Sequence, residues 1–269
     1  MRLLVTTFHR ALVHGIRDTV LDEGRGPYFG ATWSPDRIFV AARNWTGRGE
    51  GTLILTYDGK LNQVAEDRLP EVREVHEILW HGGIVYICDT GHDRVLAWDG
   101  RETKAVYEAT QTMEDHSHVN NIWCDGERFW VSELRARRLR AFDLEWELLE
   151  TIPVEYEVHN VYEEDGTVYM CASNRGCLAC LVSEPIFIDV SSGEYAYARG
   201  LARTKSRFYV GLSSVSKHGS RGEGGCCITV LDSGLGKIDE IRFEGTGDLH
   251  TIRAMDGIDL AHNRIPCPA

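Results

Sequence analysis

With 269 residues, 43% of them hydrophobic, the chain has the apolar mass for one sizeable core or two small ones, which excludes a peptide-like scaffold. Its 29 basic residues against 41 acidic ones leave a formal charge of −12, which excludes broad electrostatic attraction to nucleic acid or an anionic membrane. No apolar run approaches the roughly 18 to 20 residues that cross a bilayer, and Leu3 to Phe8 is too short, and too soon followed by His9 and Arg10, for a secretory signal. The expectation is a cytoplasmic protein with neither membrane nor nucleic-acid partners.

Taken in chain order, the sequence repeats one grammar at intervals of about forty to fifty residues. Each unit has a short apolar strand, an Asp- and Gly-rich turn, a β-branched and aromatic strand, a polar loop, and a third strand ending in an apolar residue and Asp. After an N-terminal stretch with strand character at Leu3 to Phe8, Ala11 to His14 and Thr19 to Leu21, first strands are expected near Phe29, Val75, Val119, Val158, Arg199 and Leu249. The second strands are Ile38 to Val40, Ile84 to Cys88, Phe129 to Val131, Val168 to Met170 and Phe208 to Val210. Gly82-Gly83, Asp125-Gly126 and Asp165-Gly166 precede three of them and suit tight hairpins that need positive φ. Third strands close at Tyr57-Asp58, Trp98-Asp99, Phe142-Asp143 and Leu231-Asp232, and the fourth unit is the weakest there.

The sixth unit runs out of chain after Gly257, and the N-terminal strands supply what it lacks. The reading is therefore an all-β, six-bladed β-propeller over residues 1–269, closed by pairing both chain ends in one sheet, which removes exposed edges. Five blades plus an N-terminal extension is the alternative. No amphipathic helix recurs between strands, as a parallel α/β architecture would require.

In a propeller the first strand of each blade lines the channel. Aligning those strands puts His76, His159 and His250 at equivalent positions, with Asn120 as the counterpart in blade three and His118 two residues earlier. Blades one and five depart, with Phe29-Gly30-Ala31-Thr32 and Arg199-Gly200-Leu201-Ala202. Neutral imidazole is the commonest side-chain ligand for iron, zinc, copper and nickel, so His76, His118, His159 and His250 are expected to hold a divalent metal at the channel mouth. Glu74, Glu157 and Asp248 precede the histidines and suit orienting or general-base roles, and Asn121 and Asn160 suit substrate binding. The alternative use of such histidines is as hydrogen-bonding plugs between blades.

The loops after the second strands carry Arg43-Asn44-Trp45, Asp89 to Arg94, Glu133 to Arg137, Ser173-Asn174-Arg175 and Ser213 to Arg221. Arginines around a concave mouth suit a carboxylate, phosphate or sulfate on a small substrate, so Arg43, Arg175, Arg221 and Arg199 are candidate anchors. Arg135, Arg137, Arg138 and Arg140 read as an exposed strand face. The Gly-rich stretch Ser213 to Gly225 matches no phosphate loop, and is either a lid or a solvated excursion. Cys177 and Cys180 lack a second half-site, so they and Cys226-Cys227 are expected to be structural. No G-x-S-x-G elbow supports a serine nucleophile.

The unit Val119-Asn120-Asn121-Ile122-Trp123-Cys124-Asp125-Gly126-Glu127-Arg128-Phe129-Trp130-Val131 resembles those of six-bladed propellers in the NHL-repeat and gluconolactonase-like or strictosidine-synthase-like groups. Ala198 to Ala202, with Tyr209 to Ser213 and Arg221, resembles an uncharacterised bacterial propeller family. Gluconolactonase-like enzymes hold a divalent cation through Glu, Asn and Asp in the channel. This chain offers His76, His159 and His250 there, so the resemblance implies iron, zinc or copper before calcium; carotenoid-cleaving oxygenases offer a four-histidine iron site on a different propeller. The combined expectation is a metal-dependent small-molecule enzyme, a lyase, hydrolase or oxygenase acting on an anionic substrate, with Glu74, Glu157 and Arg199 as catalytic groups. Its alternative is a non-catalytic propeller that binds a protein or glycan on the same face.

Overall fold

Alternating apolar and polar residues between glycine-marked turns favour strands over helices, and a computed structural model, which describes residues 1–43, 51–111, 114–214 and 221–269, is built from 24 of them. Blade one holds β4 (Tyr28–Trp33), β5 (Ile38–Arg43), β6 (Thr52–Tyr57) and β7 (Gln63–Leu69). Blade two holds β8 (Val75–His81), β9 (Ile84–Asp89), β10 (Arg94–Trp98) and β11 (Thr103–Glu108). Blade three holds β12 (Val119–Cys124), β13 (Phe129–Glu133), β14 (Arg138–Phe142) and β15 (Leu148–Pro153). Blade four holds β16 (Val158–Glu164), β17 (Thr167–Ala172), β18 (Cys177–Leu181) and β19 (Ile186–Asp189). Blade five holds β20 (Tyr195–Thr204), β21 (Arg207–Ser214), β22 (Cys226–Asp232) and β23 (Lys237–Phe243).

Blade six joins the two ends of the chain: β24 (Leu249–Ala254) is innermost, followed by β1 (Leu3–Thr7), β2 (Arg10–His14) and β3 (Thr19–Glu23). Val5 lies opposite Ile252 and Leu3 opposite Ala254 in the closing antiparallel pair. That register sets Leu3, Val5, Ile252 and Ala254 in one buried cluster with Ala202, Tyr209 and Ile228 of blade five, so closing the sheet and packing the neighbouring blade are one event. The six-bladed count holds, and the five-bladed alternative does not.

Burial falls from the channel outwards. The innermost strands β4, β12 and β24 are buried throughout, whereas outermost β15 is almost wholly exposed. Gly30 sits where blades one and two come closest: a Cβ there would lie 2.3 Å from the Ile78 backbone nitrogen, so only glycine fits. First strands begin where the repeat placed them except in blade five, where β20 starts at Tyr195, four residues before Arg199.

The channel is closed in two places. Midway along it, Glu77 of β8 and Arg253 of β24 form an ion pair at 2.8 Å, both about 2% exposed. Glu77 also accepts hydrogen bonds from Asn121 and Thr251, and the Arg253 Nε donates to the Ala31 carbonyl at 2.9 Å. At the far mouth, residues 255–269 lie across the ends of the inner strands. Trp33 and Trp123 donate their indole N–H to the Ile265 and Leu260 carbonyls, and Leu260 N–H donates to the Arg203 carbonyl at 2.7 Å. The Asp259 carboxylate accepts the backbone N–H groups of Arg203, Ala254 and Ala261. One end of the ring is thus sealed by its own chain.

Candidate functional site

The other end opens into a cavity of about 580 Å³. The beginnings of β4, β8 and β24 supply Phe29, His76 and His250, and the loops supply Arg43, Glu74, Asp115, His118, Arg135 and Arg221. Phe29 stands where other blades carry histidine, and this departure defines the site. The His250 ring stacks on it at 4.0 Å and 7°, and the His76 ring tilts against it at 5.0 Å. The guanidinium carbons of Arg43 and Arg199 lie 4.2 and 5.1 Å from its centroid. The negative face of a benzene ring attracts both cations, which partly offsets the cost of keeping two guanidiniums so close together.

Each histidine has its own tether. His250 Nδ1 is 2.7 Å from the Tyr28 carbonyl, an acceptor only, so Nδ1 carries the proton and Nε2 the lone pair. That Nε2 is buried and has no partner among the described residues. His76 has Arg43 Nη2 against its ring, 3.0 Å from Nδ1 and 3.5 Å from Nε2. His159 Nδ1 meets the Ser173 hydroxyl at 2.7 Å, the arrangement repeated one blade back between Asn120 and Ser132. His118 Nδ1 bonds to Asp115 at 2.9 Å. His118 is not on the inner strand, as its spacing suggested: it precedes β12 at φ 60, in a loop whose amides at 116, 117 and 118 all donate to the Asp93 carboxylate.

Burial drives His76, His159 and His250 well below the usual histidine range, and the neighbouring arginines push further in the same direction. All three are neutral at pH 7. Arg43 and Arg199 are both lowered to about 10, by burial first; Glu74 partly offsets this at Arg43, while Arg221 deepens it at both. Arg43 has Glu74 at 3.6 Å. Arg199 is 6% exposed, and among the described residues its guanidinium has neither an ion-pair nor a hydrogen-bond partner. Asp248 lies within its field but is itself raised to about 6 by burial, with Oδ1 unpartnered.

Of the expected metal ligands, His76, His118 and His250 line the funnel and His159 does not, and together they form no metal cradle. Among the described residues no three His, Cys, Asp or Glu side chains come together closely enough to hold an ion. His76 and His118 make contact at 4.7 Å between centroids, but Arg43 Nη2 already lies 3.0 and 3.5 Å from the two His76 ring nitrogens, and the surrounding guanidiniums repel a cation. These donors do not fit an iron, zinc, copper or calcium site.

Other expected residues separate. Asn121 and Asn160 are buried in the wall: Asn121 accepts Val161 N–H at 3.0 Å, Asn160 accepts Gly200 N–H at 2.6 Å, and both join blades instead of facing a substrate. Arg175 packs on Tyr156 and on Phe187 of an outermost strand, away from the cavity. Glu157 accepts the Tyr197 hydroxyl at 3.2 Å and does not line the cavity, whereas Glu74 does. Arg138 and Arg140, read as an exposed face, both pair with the buried Glu133. All eight cysteines are free, as expected of structural thiols. Asn44, Trp45 and, within the stretch considered as a lid, residues 215–220 lie outside the described residues.

Sequence reasoning missed Phe29 as the hub, Asp115 as the partner of His118, and the Glu77–Arg253 lock. The signals were present: a break in the histidine register, a D-x-x-H spacing, and charged residues on otherwise apolar inner strands.

No family model matches the chain, and no curated protein matches it in sequence. Its fold is shared by solved structures. A chain of a nidogen/laminin complex superposes with a TM-score of 0.70 at 9% identity, covering 94% of this chain and 97% of that one. A Bacteroides caccae protein of unknown function gives 0.67 at 13%, covering 94% and 98%. A streptogramin B lyase gives 0.55 at 11%, covering 96% and 92%. The likeness is one of architecture. Solved structures of like fold include both an enzyme and a component of a protein complex, so the site must carry the functional argument.

Proposed function

We propose that this propeller is a small-molecule enzyme whose funnel takes an organic anion, and that the anion is neutralised by Arg199, Arg43 and Arg221. The observation that carries the reading is the set of arginines at the funnel: Arg43 and Arg221 line the cavity, and Arg199, buried and without a counter-ion among the described residues, lies against its Phe29 wall in their field. A buried unpaired charge costs several kcal/mol, and a carboxylate, sulfate or phosphate oxygen pair would remove that cost by bidentate hydrogen bonding. The recessed cavity of about 580 Å³ suits a small molecule better than a flat protein or glycan surface. Phe8, Pro27 and Phe29 form an apolar wall, which favours an anion that also carries an apolar or aromatic body.

The enzyme class, in place of a binding platform, is supported by the neutral imidazoles of His76 and His250 in the cavity wall, and by an enzyme among the proteins of like fold. The test is ligand-dependent melting with benzoate and sulfate as probes. The wild type should be stabilised by several degrees at saturating benzoate, roughly 2 to 3 kcal/mol at one hundred times Kd. Arg199→Met should lose that response while remaining folded. Equal shifts in the two proteins would remove the anion site.

A further inference from the structure

Two carboxylates line the funnel, and the chain uses only one of them fully. Asp115 is committed: His118 Nδ1 lies 2.9 and 3.0 Å from its two oxygens, and Arg135 Nη1 lies 2.9 Å from Oδ2. Glu74 is not. Its side chain is 42% exposed, its carboxylate accepts no hydrogen bond among the described residues, and its ion-pair neighbour, Arg43 Nη2, stands off at 3.6 Å. That separation is too long for a hydrogen bond, so capacity is left on both side chains. Arg43 places Nε on the Val75 carbonyl at 3.3 Å and Nη2 against the His76 ring, and its Nη1 has no hydrogen-bond partner among the described residues. A cation and an anion, each with open valences, therefore stand side by side on the cavity wall.

Glu74 restricts which carboxylate can bind. A ligand that brings only negative charge to Arg43 meets repulsion from the neighbouring Glu74, whereas one that carries an ammonium next to its carboxylate turns that repulsion into attraction. We propose that the ligand is an α-amino acid with an apolar side chain: the arginines hold its carboxylate, Glu74 accepts its ammonium, and its side chain lies along Phe8, Pro27 and Phe29. The assignment rests on the arginine anchor proposed for the anion and narrows what that anchor takes. In an α-amino acid the ammonium is borne by the carbon bonded to the carboxylate, so its two charges are neighbours, as Arg43 and Glu74 are. The exposed end of Glu74 faces the open mouth, and an incoming amine reaches it without displacing any hydrogen bond within the described chain. Asp115 cannot serve in its place, because His118 and Arg135 already occupy its oxygens. Glu74 is thus a specificity residue, selecting amino acids over simple carboxylates of the same shape.

Calorimetric titration with both enantiomers of phenylalanine, and with 3-phenylpropionate, which lacks only the amine, tests the assignment. Wild type should bind the preferred enantiomer at least about tenfold more tightly than 3-phenylpropionate. Glu74→Gln should weaken phenylalanine binding by about tenfold while leaving 3-phenylpropionate unchanged or tighter, a split that general damage to the site would not produce. Equal affinities for the two ligands in wild type would overturn the amino-acid assignment. An unchanged preference in Glu74→Gln, or equal weakening of both ligands, would overturn Glu74 as the ammonium partner. Benzoate melting shifts of wild type and Arg199→Met report the anion anchor separately: where they persist, those results remove the amino acid and leave the anion site, and where they are absent, both readings fall.

Discussion

The two mouths of the channel are built from the same repeated strands, yet they treat buried charge differently. At the sealed mouth Asp259 is wholly buried and its carboxylate accepts three backbone N–H groups, while Trp33, Trp123, Asn263 and Arg264 all donate to carbonyls. At the open mouth His250 Nε2 and Asp248 Oδ1 are buried without partners, and Arg199 has no counter-charge among the described residues. His262 Nε2 and Arg264 Nε of the sealed mouth are buried without partners too, so the contrast lies in the charges: backbone amides satisfy the Asp259 carboxylate, whereas nothing among the described residues neutralises Arg199.

The largest effect should come from the lock between the mouths. Glu77→Ala leaves Arg253 charged and buried, and a loss of about 3 to 5 kcal/mol in urea unfolding is expected. A loss under 1 kcal/mol would mean that water reaches the pair and the channel is not closed there.

Next come the two aspartates that burial raises to about 6, one at each mouth. A carboxyl whose folded pKa lies above its unfolded value favours folding below the unfolded pKa and loses that contribution as pH rises. The window is therefore about pH 4 to 6. At the open mouth, Asp248→Asn should stabilise the protein above pH 6 by up to about 3 kcal/mol, with the gain gone below pH 4. At the sealed mouth, Asp259→Asn should cost about 1 to 3 kcal/mol, because an amide nitrogen cannot accept the backbone N–H groups. Stability curves against pH that move in the same direction for both variants would erase the contrast between the ends.

A smaller gain is expected for Arg199→Met without ligand. Replacing an unpaired buried guanidinium by an apolar chain should raise the melting temperature by a few degrees, on the order of 1 kcal/mol, while ending benzoate stabilisation. The smallest effect is that of prolonged chelation. Benzoate binding by dialysed, metal-free protein should equal that of untreated protein by calorimetry, and a tenfold loss restored by zinc or iron would reinstate the imidazoles as ligands.

Most of the fold was legible because a propeller repeats. Asp125-Gly126 and Asp165-Gly166 mark tight turns, and aromatic runs such as Phe129-Trp130-Val131 mark central strands, wherever they recur. The site was legible only in part. Aligning the blades put His76, His159 and His250 at one level, but it could not show that Arg43 would lie against the His76 ring or that the Tyr28 carbonyl would accept the His250 Nδ1–H. Asn121 and Asn160 looked like substrate ligands because a linear sequence does not reveal that Val161 and Gly200 amides of neighbouring blades need acceptors.

The sequence by itself determined the number of blades, the strand that each end of the chain contributes to the closing sheet, and the level at which the histidines sit, because these follow from periods of two and of about forty residues that local sterics and burial impose. Only the tertiary structure decided which partner each imidazole meets. That choice depends on single atoms brought within about 3 Å by segments far apart in the chain, such as Tyr28 and His250, and no pattern along one strand encodes such a meeting.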